Sequence, residues 1–150
     1  KFWVAAWEMA QDYPLGAGAR GFEFYSDIYL PQDLNTGGSR ARAVHSTWFE
    51  ILSEVGYIGL TVFLLMLFSM YRYCQLIKKA LLAEKKTEDY FKIVAMQGAV
   101  ASFLVSATFI NRGRAEILYW LVMYISAAYN LYILKGMAKE KPEPQAEAKT

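Results

Sequence analysis

The 150-residue chain has one cysteine and one histidine. A lone cysteine, Cys74, excludes an internal disulfide and a thiolate metal site. A lone histidine, His45, with only scattered carboxylates around it, supplies no ligand set for a metal ion. No cofactor is expected. The net charge of +2 is too small to imply nucleic acid, and no basic cluster interleaves with aromatics to bind it. There is no initiator methionine and no secretory signal pattern. The opening residues Phe2, Trp3, Val4, Ala5, Ala6 and Trp7 read as the tail of something longer. No internal repeat is visible.

What the chain has in plenty is uninterrupted apolar sequence. Val55–Tyr73 carries no charge before Arg72. Ile93–Ile110 and Ile117–Leu134 are two further uncharged runs. At about 1.5 Å per residue, each approaches the roughly 30 Å thickness of a hydrocarbon core. A soluble domain this small could not bury three helices that are apolar on every face. The expected fold is therefore an all-α integral membrane protein with three spans, at residues 55–73, 93–110 and 117–134. Residues 1–13 form the end of a preceding membrane or interfacial helix. A polar, glycine-rich loop leads to the His45 motif within 14–54, residues 74–92 form a linker, and 135–150 form a disordered tail.

Lysines and arginines set the orientation. The linker carries Arg72, Lys78, Lys79, Lys85, Lys86 and Lys92, and the tail carries Lys135, Lys139, Lys141 and Lys149. Three spans put linker and tail on one side, expected to be the cytoplasm. The loop and His45 are then outside. Leu76–Lys86 reads as an interfacial helix in contact with membrane lipids. Tyr119, Trp120, Tyr129 and Tyr132 suit aromatic belts. Gly98, Ser102 and Ser106 recur every fourth residue, a spacing that admits a neighbouring helix.

Gly16-Ala17-Gly18-Ala19-Arg20-Gly21 matches GxGxxG, but a helical segment precedes it and Phe22–Tyr29 looks extended or irregular. Dinucleotide binding needs the reverse order. The glycines are better read as permitting tight turns. Near His45, Thr47 and Glu50 form a T-x-x-E capping box, so a helix starts near Thr47. Ser46, Glu50 and Glu54 share one face, and two like charges at that spacing call for something cationic opposite. His45 itself is either a surface or capping residue or a functional imidazole. Arg20, Arg40 and Arg42 either contact solvent and head groups or clamp phosphate oxygens.

Trp7–Gly18 (WEMAQDYPLGAG) and His45–Leu60 (HSTWFEILSEVGYIGL) resemble the C-terminal part of the O-antigen ligase and polymerase superfamily. There, a P-L-G-x-G stretch leads into a large periplasmic loop, which ends in a motif of the form H-[N/S]-x-x-L/F-E-x-L-x-E-x-G-x-x-G directly before a membrane helix. His45-Ser46 is also similar to the ligase-like proteins associated with exosortase systems. The resemblance implies the C-terminal fragment of a polytopic, lipid-carrier-dependent glycosyltransferase of the bacterial inner membrane, inverting and metal-independent, and incomplete in this piece. The donor would be a glycan on undecaprenyl diphosphate. The acceptor would be a hydroxyl of lipid A-core, of a glycan or of a protein. His45 matches the family's candidate catalytic residue. Arg20, Arg40 and Arg42 are local candidates for the donor diphosphate, with Glu50 and Glu54 in support. A neutral imidazole can take the proton of a sugar hydroxyl, and guanidinium groups can stabilise a departing diphosphate. A polymerase of the same superfamily fits equally. A transport or assembly subunit fits less well, because the spans lack the broken-helix and polar features of a carrier.

Overall fold

The computed structural model describes residues 1–31, 43–110 and 116–135. Arg40, Arg42, residues 111–115 and the tail from residue 136 lie outside the described residues. Within the described residues the chain is helical and contains no strand. The order is α1 (Phe2–Asp12), α2 (Gly21–Tyr29), α3 (Thr47–Ala83), α4 (Thr87–Phe109) and α5 (Glu116–Tyr129). A π-helical turn, Asn130–Leu134, continues α5.

Three helices are long and apolar enough to cross a membrane: Thr47–Ala83, Thr87–Phe109 and Glu116–Leu134. Only 17%, 17% and 11% of their most apolar windows is buried by the rest of the chain. Surface that apolar and that uncovered needs a lipid environment, so the expectation of an all-α membrane protein holds.

Helix α3 is the axis on which the others pack. Met70, Cys74, Ile77 and Leu81 recur at helical spacing and bury against Ile93 of α4 and Ile125 and Ala128 of α5. That stripe carries the helix well past Tyr73. Residues 74–83, expected to start a linker, are the last turns of α3. The helix then stops in a Schellman turn. Lys85 takes the left-handed conformation (φ 56°). Its N–H donates to the Leu82 carbonyl, and the N–H of Lys86 donates to that of Leu81. The chain reverses there into α4. A polar pair bridges the two helices, with Lys78 Nζ donating to Gln97 Oε1 at 2.8 Å. Higher up, Phe103 and Ala107 of α4 meet Leu118 of α5.

At the loop end a separate cluster forms. Ala5, Ala6 and Met9 of α1 meet Phe22 of α2 together with Leu30 and Val44. Phe22–Tyr29 is therefore helical, where the sequence reading expected extended or irregular chain. Phe22 and Ser26 bury one face of α2. The Gly98, Ser102 and Ser106 row faces outward from the bundle, and each of its residues is exposed. No described helix uses it for packing.

Candidate functional site

Helix α3 contains an elbow. Gly56 has φ 74° and ψ −170°, which splits the helix into a short arm, Thr47–Val55, and the long spanning arm that follows. This region of backbone space belongs almost solely to glycine. The bend is sharp. Trp48 and Phe63 would lie about 22 Å apart along a straight helix, yet their rings meet edge to face at 5.7 Å.

A bend frees backbone groups, and the Pro14–Gly18 loop takes them up. The N–H of Ala17 donates to the Ser53 carbonyl at 2.9 Å, and that of Gly18 donates to the Glu54 carbonyl at 3.0 Å. In return, the N–H of Tyr57 donates to the Pro14 carbonyl at 3.0 Å. Loop and elbow cross at their glycines. A Cβ on Gly16 would strike the Glu54 carbonyl and come within 2.7 Å of the Val55 carbonyl carbon. A Cβ on Gly56 would strike the Pro14 carbonyl and come within 2.6 Å of the Gly16 nitrogen. Gly16 and Gly18 both have positive φ. Gly16 and Gly18 of the GxGxxG pattern thus serve a backbone crossing.

His45 stands just before the short arm. Val44 and Ser46 on either side are buried to 1% exposure. His45 lies between them with φ 54°, in the left-handed region, and its side chain is exposed. Two anchored neighbours force the histidine outward, at a backbone cost of roughly 1–2 kcal/mol for a residue with a Cβ. Its ring meets Phe2 edge to face at 6.2 Å. The cleft beside it, about 290 Å³, is lined by Lys1, Phe2, Trp3, Val44, His45 and Phe109. Trp3 in turn stacks on Phe49 of the short arm at 5.5 Å.

The short arm is also tied to the end of α4. Thr47 Oγ1 donates to the Ile110 carbonyl at 2.9 Å, and Trp48 Nε1 donates to Thr108 Oγ1 at 3.2 Å. Thr47 is the first residue inside the helix, where the capping-box reading expected it as the cap. The N-cap is Ser46, one residue earlier, whose carbonyl accepts from the N–H of Glu50. The Thr47 hydroxyl is committed to the neighbouring helix instead.

The remaining candidates occupy different places. Glu50 and Glu54 line a groove of about 490 Å³ in the crook of the elbow, walled by Val62, Phe63 and Met66 of the long arm and Leu118 of α5. Arg20 caps α2 in a left-handed conformation and pairs with Glu23, Nη2 to Oε2, at 2.6 Å. It borders a third hollow with Ala17, Phe24 and Tyr25. Nearby, the Tyr29 hydroxyl donates to Asp12 Oδ2 at 2.7 Å. Partial burial and that carboxylate raise the phenol to about 12. No group of three or more metal-ligating side chains occurs among the described residues.

Residues 1–64 match the O-antigen ligase family model. The O-antigen ligase match begins at α1 and takes in the Pro14–Gly18 loop, His45, the short arm and the elbow glycine. It ends at Leu64 in the long arm. The resemblance read in the two quoted motifs is borne out over this stretch. No curated protein and no solved structure matches the chain significantly. Sequence reasoning missed the contact between the two motifs. A signal was present, because both motifs contain glycines, the residue that lets two backbones approach closely.

Proposed function

We propose that this chain forms the acceptor-activating end of an O-antigen ligase-type glycosyltransferase. The observation that carries the reading is His45, held outward at the loop end of a membrane bundle within the O-antigen ligase match. In the proposed reaction the His45 imidazole accepts the proton of an acceptor hydroxyl. The hydroxyl oxygen bonds to the anomeric carbon of the donor glycan. The bond from that carbon to the diphosphate oxygen breaks, and undecaprenyl diphosphate leaves with the electron pair. The aromatic walls given by Phe2, Trp3 and Phe109 suit the apolar face of a sugar. Arg20, Arg40 and Arg42 are proposed on the donor side, where guanidinium groups neutralise diphosphate without a metal ion. The Arg20 guanidinium is paired with Glu23, which a donor diphosphate would have to displace.

The test uses the full-length protein in membranes, with glycan transfer, expression and donor binding measured together. His45→Gln should lose about 10²- to 10⁴-fold in transfer, the usual contribution of a general base, with expression and donor binding retained. Near-normal transfer by that variant would remove His45 from the chemistry.

A further inference from the structure

We propose that Gly16 and Gly56 are positioning residues for this transfer: their crossing holds the short arm folded over the span, and the folded arm sets where His45 stands. The inference rests on the transfer reading above.

Hydrogen-bond exchange is the basis. In an unbroken helix the carbonyls of Ser53 and Glu54 would accept from the N–H groups four residues on, those of Tyr57 and Ile58. In the bent form Ala17 and Gly18 supply those donors, and the N–H of Tyr57 is taken by Pro14. For the helix itself the exchange is nearly even, since the Ser53 and Glu54 carbonyls and the Tyr57 N–H are paired in either form, so the helix's own hydrogen bonds do not select the bend. Close approach of the loop selects it, and only residues without a Cβ permit that approach. Each glycine faces backbone of the opposing segment. No side chain can swing away to make room.

The consequence reaches His45 through one rigid piece. The short arm begins at Thr47, fixed to Ile110, and follows directly on the buried Ser46 cap. Straightening at residue 56 would swing that piece away from Phe63 and carry His45 with it. Alanine at 56 favours the straight form twice over, by a high helix propensity and by excluding the observed φ and ψ.

The experiment uses the full-length protein in membranes with Cys74→Ser as background. Trp48→Cys and Phe63→Cys together are treated with a short bis-maleimide, and cross-linking is read on a gel. Separately, kcat and donor KM are measured for Gly56→Ala and Gly16→Ala in otherwise unaltered protein. Gly98→Ala is the control, because a Cβ there meets nothing within 4 Å. We expect the cysteine pair to cross-link with native glycines and to lose cross-linking with either alanine. We expect kcat to fall about 10²-fold, the scale of a misplaced catalytic group, with donor KM unchanged. Gly98→Ala should behave as native.

Lost cross-linking with unchanged kcat would overturn the positioning role and leave the crossing purely architectural. Retained cross-linking with both alanines would overturn the crossing itself. Failure of both variants to accumulate would do the same to the positioning role. If the native protein transfers no glycan, the transfer reading fails, and the cross-linking result still reports on the bend.

Discussion

His45 holds a backbone conformation that glycine would adopt at lower cost. His45→Gly should therefore abolish transfer while leaving thermal stability unchanged or raised by about 1 kcal/mol, the usual gain on relieving a left-handed residue. A melting curve of the purified full-length variant checks this, and marked destabilisation would show the imidazole to be structural. Tyr29 offers a second residue-scale check. Its phenol is raised from 10.0 to about 12 by partial burial and by Asp12. The neutral form is the favoured one in the folded state, so the contribution to stability is complete below pH 10 and is lost as pH rises towards 12. Tyr29→Phe should remove that alkaline loss and cost about 0.5–1.5 kcal/mol at neutral pH, the net value of one hydrogen bond. Stability measured from pH 8 to 11 in both proteins decides it. His45 stands out in the sequence because it is unique and lies in a long motif. Its left-handed backbone was not legible, because it comes from the burial of its neighbours. The Arg20–Glu23 pair was equally hidden, since its three-residue spacing acquires meaning only once α2 is known to be a helix.

At the scale of elements, helix ends carry the most readable chemistry. Lys85 occupies the position in the Schellman turn that glycine usually fills. Lys85→Gly should stabilise the α3–α4 turn by about 1 kcal/mol, measurable as a higher melting temperature in detergent. Thr47→Val should cost about 1 kcal/mol through loss of the bond to the Ile110 carbonyl, and it should weaken transfer by loosening the short arm. Unchanged stability and transfer in that variant would show the link to α4 to be dispensable. The long apolar helices were legible from their length. Helix α2 was not, although Phe22, Ser26 and Tyr29 are spaced for one face, because glycines before it suggested an open loop. The start of α3 was read to within one residue. The misreading there was of the hydroxyl, whose partner lies sixty-three residues away.

For the whole molecule, composition settled the class and left the arrangement open. Three spans could be counted from charge-free runs. Their mutual packing depends on Cys74, Ile77 and Leu81, which look no different in sequence from lipid-facing neighbours. The proposed orientation, with the loop outside, rests on the lysine-rich linker. Single cysteines at Asp27 and Thr87, both exposed positions, placed in the Cys74→Ser background, should differ in intact cells. A membrane-impermeant thiol reagent should label position 27 and spare position 87, and the opposite pattern would invert the topology. Chain length has its own consequence in this architecture. Leu30 and Val44 are both buried in the same cluster at the loop end, at 3% and 1% exposure. The two ends of the interval between them are thus anchored at one place. Each doubling of the interval between them costs only about 0.6 kcal/mol of closure entropy. Insertions between Leu30 and Val44 should therefore cost little stability, because the anchored residues on either side keep their packing.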